Sequence, residues 1–220
     1  KSGAGTLTLT SNNTFSGATT VSAGALVVNG TLAQSAVTVG NGAVLGGSGL
    51  IQSLLTVQSG GTLSPGTSPG LLTVGSLGLQ AGSTTLMEII GSGSNAGTAG
   101  TDYDRLAVTT AGGATFGGTL DLDFANPTDF LDGTTFDLFG FTGSLSGGFA
   151  SVISTGSGRY SGLTFTGLSG IWTASTLTGN QLLTFTEGTG RLVVSSAGGV
   201  PEIDPAGIGS VLALVTGALG

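Results

Sequence analysis

Few residues in this 220-residue chain could do chemistry. The clearest pair is Asp121 and Asp123, which flank Leu122 in the run TLDLDF. Two carboxylates close together could serve as general acid and base, or as a glycosidase pair. Residues two apart on a strand share a face, so both point outward with Thr119, away from Leu120, Leu122 and Phe124. A solvated strand face accounts for them. Asp102, Asp104, Asp129, Asp132 and Asp137 could supply hard oxygen ligands to Ca²⁺. The chain shows neither the calcium-binding nonapeptide repeat nor an EF-hand loop, so loop solubility accounts for these acids too. Trp172 and Tyr160 are the candidates for a sugar-stacking platform. The chain has no His and no Cys. That excludes Ser-His-Asp and Cys-His catalysis, imidazole or thiolate metal sites, and disulfides. The Gly-rich stretches lack both phosphate-loop spacings, and no helix is predicted to follow them. The expectation is a protein without enzymatic activity, cofactor or metal.

Charge is as scarce as chemistry. Four basic residues stand against eleven acidic ones, for a net charge of −7. Lys1, Arg105, Arg159 and Arg191 cannot build a phosphate-neutralising stripe, so nucleic acid is not an expected partner. They cannot form a polybasic membrane patch either. No charged residue occurs from Ser2 to Met87. A soluble monomer normally keeps about a quarter of its surface charged, so self-association is expected. The chain starts at Lys1, which fits a mature form left after removal of a signal peptide.

The elements that must carry these residues are strands. Thr6 to Thr10 reads TLTLT, with Leu7 and Leu9 on one face and Thr on the other. Such runs recur. Val21, Val39, Val57 and Val74 each close one, at spacings near 18, and Leu26, Leu45, Leu63 and Leu79 follow them. Leu163 and Phe165 return as Leu183 and Phe185, 20 residues on. A fixed period of this size marks a solenoid. One coil cannot bury its apolar face alone, whereas stacked coils share a continuous core. Gly and Asn serve the corners, and Ser64-Pro65-Gly66 and Ser68-Pro69-Gly70 read as type II turns. Phe116, Phe124, Phe136, Phe139, Phe165 and Phe185 read as a core stack. Residues 91–101 and 125–134 read as loops on the same solenoid. At 18 to 20 residues per coil, about ten coils are predicted, with less than a tenth helix.

Gly5 to Leu32, GTLTLTSNNTFSGATTVSAGALVVNGTL, resembles the autotransporter-associated β-strand repeat of bacterial passenger domains. AVTVGNGAVLGGSGLI and LTVQSGGTLSPGTSPGLLTV continue it to Val74; TDYDRLAVT and GGTLDLDF resemble the segments that usually come after such repeats. The similarity weakens after about residue 125 and runs to Val194. The resemblance implies an all-β, single-stranded right-handed parallel β-helix and an extracellular or cell-surface location, but no one activity. Val200, Pro201, Glu202, Ile203, Asp204 and Pro205 open VPEIDPA, ahead of the apolar run GIGSVLALVTGALG. This end is similar to PEP-CTERM sorting signals, without their basic cluster. It implies export and contact with sorting machinery at the envelope.

The expected organisation is a β-solenoid over residues 1–199 and an apolar tail over 200–220. The expected role is an exported structural subunit of an extracellular filament or matrix. Copies of itself would join head to tail through the solenoid ends and through the tail, whose apolar residues are Ile208, Val211, Leu212, Leu214, Val215 and Leu219. The alternative is a carbohydrate-binding surface adhesin on the same fold, with an extracellular polysaccharide as partner.

Overall fold

The computed structural model describes residues 1–111 and 113–197. The described residues form twenty-two strands and no helix. The first eight are β1 (Thr6–Leu9), β2 (Asn12–Asn13), β3 (Thr19–Val21), β4 (Gly24–Val28), β5 (Thr31–Leu32), β6 (Val37–Val39), β7 (Ala43–Gly47) and β8 (Leu50–Val57). Then come β9 (Thr62–Pro65), β10 (Leu71–Leu79), β11 (Thr84–Ile89), β12 (Arg105–Val108), β13 (Ala114–Phe116), β14 (Thr119–Phe124) and β15 (Thr135–Asp137). The last are β16 (Phe139–Phe141), β17 (Leu145–Gly147), β18 (Ser151–Gly156), β19 (Thr166–Leu168), β20 (Ile171–Ser175), β21 (Gln181–Thr186) and β22 (Arg191–Ser196).

Every pairing among β1–β14 and β16–β18 is parallel. The chain visits three strand stacks in the same order on each turn. The first stack is β1-β4-β7-β9-β11-β14-β18. The second is β2-β5-β8-β10-β12-β16. The third is β3-β6, continued by the far halves of β8 and β10, then β13 and β17. This is the stacked parallel architecture that the period near 18 predicts. The seven strands of the first stack, at ~4.8 Å per step, extend roughly 30 Å, not the length of ten coils.

The reason is that the coils grow. Register along the first stack runs Leu7, Leu26, Leu45, Leu63, Thr85, Leu120, Val152. The early steps keep the predicted size, and the later ones widen to admit residues 91–101 and 125–134. Core side chains grow with the coil. Leu26, Leu45 and Leu63 fill the narrow turns, whereas Phe116, Phe124, Phe130, Phe136 and Phe139 fill the wide ones, all of them buried. The Phe116 and Phe149 rings stack 4.7 Å apart, and Phe130 stacks on Tyr160 at 5.1 Å.

Three expectations need correction. Ser68-Pro69-Gly70 is not a type II turn, because the positive φ falls on Ser68 and not on Gly70. Val57 is followed in register by Leu79, and Val74 pairs with Ile51. β10 runs on past a register shift between Val74 and Ser76, so Val74 belongs to the second stack and Leu79 to the third. The largest correction concerns the last third. Leu183 and Phe185 lie on β21, which pairs antiparallel with β20 and β22, while β15 pairs antiparallel with β22. The spacing of 20 from Leu163 and Phe165 is therefore not a coil repeat. Ser169 and Gly170, the two residues between β19 and β20, both have positive φ (51° and 77°). That matches a primed two-residue turn, the geometry that joins hairpin strands. The antiparallel sheet lays Phe185 near Phe139 and Phe149, at 6.0 and 6.2 Å, and so packs on the aromatic core of the last coil.

Candidate functional site

The carboxylates that sequence spacing singles out are spread through the structure. Asp121 and Asp123 alternate with buried Leu120, Leu122 and Phe124 on β14, as the strand pattern predicts. Asp121 accepts a hydrogen bond from Thr155 Oγ1 at 2.7 Å, and partial burial raises its pKa. The five aspartates considered for Ca²⁺ do not converge. Asp102 accepts from the Thr98 N–H at 2.7 Å, and Asp132 from the Ser196 N–H at 2.6 Å. Asp129 pairs with Arg159 at 2.7 Å, and Asp137 with Arg191 at 2.6 Å. Among the described residues no three acidic side chains group to hold a metal ion.

Asp104 is the exception in environment. It is buried, and its two oxygens accept the N–H groups of Gly70 and Glu88 at 2.7 and 2.8 Å. It ties the Ser68-Pro69-Gly70 corner to β11. Desolvation pushes its pKa up to about 7, against the two N–H bonds that favour the anion; the charges of Glu88 and Asp123 push the same way as burial. Gly66, Ser68 and Gly70 also have the Gly-x-Ser-x-Gly spacing of a hydrolase nucleophile turn, a signal the sequence carries. Ser68 has a positive φ of 89°, and its Oγ donates to Glu88 Oε1 at 2.9 Å. In that motif the Ser joins a strand to a helix and uses a His base. Here it turns a coil corner, strand β10 follows, and the chain has no His.

Tyr160 is fully buried and stacked on Phe130, so it offers no sugar platform. Its hydroxyl accepts the Phe130 N–H at 2.6 Å and donates to Gln181 Oε1 at 2.8 Å. Burial, foremost, raises the phenol's pKa. Trp172 is half-buried. Its indole N–H donates to Glu187 Oε1 at 2.9 Å, and the Phe149 N–H donates to the same oxygen at 2.9 Å.

Glu187 is the residue that sequence reading misses. It is 6% exposed and lines an open groove of about 540 Å³ with Trp172, Phe149, Leu168 and five glycines. Both of its bonds fall on Oε1. Oε2 lies between Gly148 and Gly170, where added β-carbons would stand 3.0 and 3.2 Å away, and it has no partner among the described residues. A β-carbon on Gly167 would run into the Trp172 ring. The signal was present: Leu183, Phe185 and position 187 share one strand face, so an alternating pattern ends on an inward-facing acid. The tail residues Val200, Pro201, Glu202, Ile203, Asp204, Pro205, Ile208, Val211, Leu212, Leu214, Val215 and Leu219 lie outside the described residues.

Residues 1–28 match the family model of the passenger-associated-transport-repeat. The match ends at Val28, the last residue of β4, and so covers the first coil and the strand stacked on it. It supports an autotransporter passenger repeat, which implies a secreted or cell-surface location. No curated protein and no solved structure matches the chain.

Proposed function

We propose that this chain is the structural body of an exported bacterial assembly, without enzymatic activity, cofactor or metal requirement. In this reading the coils form a single-stranded right-handed β-helix that carries a filament or matrix at the cell surface. The observation that supports it best is the register column from Leu7 to Val152, which fills seven stacked strands with apolar side chains and one Thr. The fold's apolar side chains go into stacking, and its carboxylates are spent singly on backbone N–H groups, hydroxyls and surface ion pairs. The match over residues 1–28 supports the exported location.

Assembly would use the two ends differently. Among the described residues β1 pairs on one side only, with β4, and Leu7 and Phe15 are each 45% exposed there. An open parallel edge is a template for a further strand. The opposite end carries the antiparallel sheet, so contact between two open coil ends does not describe it. The role of the tail and its sorting motif belongs to the same proposal, with envelope sorting machinery as a partner. Electron microscopy of the purified chain, with and without residues 200–220, tests it. Filaments from the full chain, weakened by the truncation, are expected. Single particles at every concentration would overturn polymerisation. Glycan binding by such particles would favour the adhesin and a polysaccharide partner.

A further inference from the structure

We propose that β19 is a docking edge for an extended basic segment of another protein, which adds to the sheet and places a Lys or Arg against Glu187. Three observations meet at this strand. First, β19 ends the order β15-β22-β21-β20-β19, and its outer side pairs with no strand among the described residues. All three of its residues are exposed, with Leu168 at 80%. Second, the strand has a hollow on each side. One, of about 310 Å³, is lined by Thr166, Leu168, Ile171 and Thr173, which share the outer face by register. The other is the Glu187 groove on the face of Gly167 and Trp172. Third, the groove ends in a nearly buried carboxylate with one unpaired oxygen. No Lys or Arg lines it.

These features specify the occupant. Successive residues of an added strand point to opposite faces. One residue would enter the Leu168–Ile171 hollow and its neighbour the Glu187 groove. The first should be apolar. The second must donate to Oε2, and a charged donor gains most, because the carboxylate is already largely withdrawn from water. Trp172 beside it adds an aromatic ring, which attracts cations. The glycines at 148, 167 and 170 leave room for the incoming chain where a side chain would close the groove.

A second copy does not meet the requirement. Arg159 and Arg191 are in ion pairs, and Lys1 donates to Ala23 O at 2.7 Å. Arg105 lies on β12, which is paired on both sides. Residues 192–220 contain no Lys or Arg.

The test uses the full chain and a synthetic, end-blocked peptide of alternating Val and Lys, with a Val–Glu peptide of equal length as control. Calorimetry with the wild type should show binding of the first and not the second. Amide exchange at Thr166–Leu168 should slow on binding. Glu187→Gln should weaken binding at least tenfold, as should Leu168→Lys, a change at an exposed site that leaves folding intact. Asp123→Asn removes the same charge elsewhere and should change affinity less than twofold. Equal losses in Glu187→Gln and Asp123→Asn would reduce the effect to net charge and overturn the proposal. So would binding without protection of the β19 amides, or no binding of the basic peptide.

Discussion

Thr85 stands in a column of aliphatic side chains, between Leu63 and Leu120. Its side chain is buried, and its hydroxyl oxygen has no hydrogen-bond partner. A buried hydroxyl left unsatisfied costs about 1–3 kcal/mol. Thr85→Val keeps the shape and removes the polar atom. It should raise stability by about 1 kcal/mol in a denaturant titration, and a loss of stability would show that the hydroxyl is bonded. Asp104 sets a pH dependence. Its folded pKa, near 7, lies above the ordinary carboxylate value of about 3.9. The folded state therefore binds more protons than the unfolded state between those values. This contribution to stability is full below about pH 4 and is lost as pH rises through 7. Burial raises the Asp121 pKa in the same direction. Melting points should fall by several degrees from pH 5 to pH 8, and less in Asp104→Asn. A melting point that rises across this range would contradict the assignment.

At the scale of elements, corners decide how closely coils stack. A β-carbon on Gly49 would collide with the carbonyl oxygen of Gly30 one coil below. Gly49→Ala should therefore cost about 1–3 kcal/mol, the usual penalty for overpacking. Gly42, where a β-carbon meets nothing within 4 Å but φ is +72°, separates the two causes. Gly42→Asn, which tolerates that conformation, should cost less than about 1 kcal/mol. If both changes are neutral in thermal melts, the corners are looser than described. The same elements show what sequence could reveal. Leu26, Leu45 and Leu63 were legible as one column because coils of nearly constant length put them at a fixed period. Leu63 to Thr85 was not, since β10 runs through its corner and a polar residue takes the inward place. Leu163, Phe165, Leu183 and Phe185 misled because period-2 alternation is the same in a parallel coil and in a hairpin. The informative residues were Ser169 and Gly170, whose turn reverses the chain. Glu187 stayed hidden because an acid before a Gly-rich turn resembles a solvated loop residue. Its burial depends on Phe149 and Trp172, which reach it from distant sequence.

The whole molecule is one arrangement: parallel coils in register, closed at one end by an antiparallel sheet. The proposed absence of a metal requirement follows from it, since aromatic and aliphatic packing runs through every coil. Thermal melts with and without chelator should coincide, and a large drop with chelator would show that the loop aspartates hold an ion. The most direct measurement of the arrangement itself is disulfide trapping, which the absence of native Cys makes clean. Thr119 and Ser151 are register partners on β14 and β18, with hydroxyl oxygens 2.8 Å apart. Thr173 and Thr184 are partners across β20 and β21. Introduced as cysteine pairs, both should oxidise readily within one chain, as read by mass spectrometry. The pair at Thr119 and Val152, one residue out of register and on opposite faces, should not. Efficient trapping of that mismatched pair, with the first two remaining reduced, would contradict the stacked architecture.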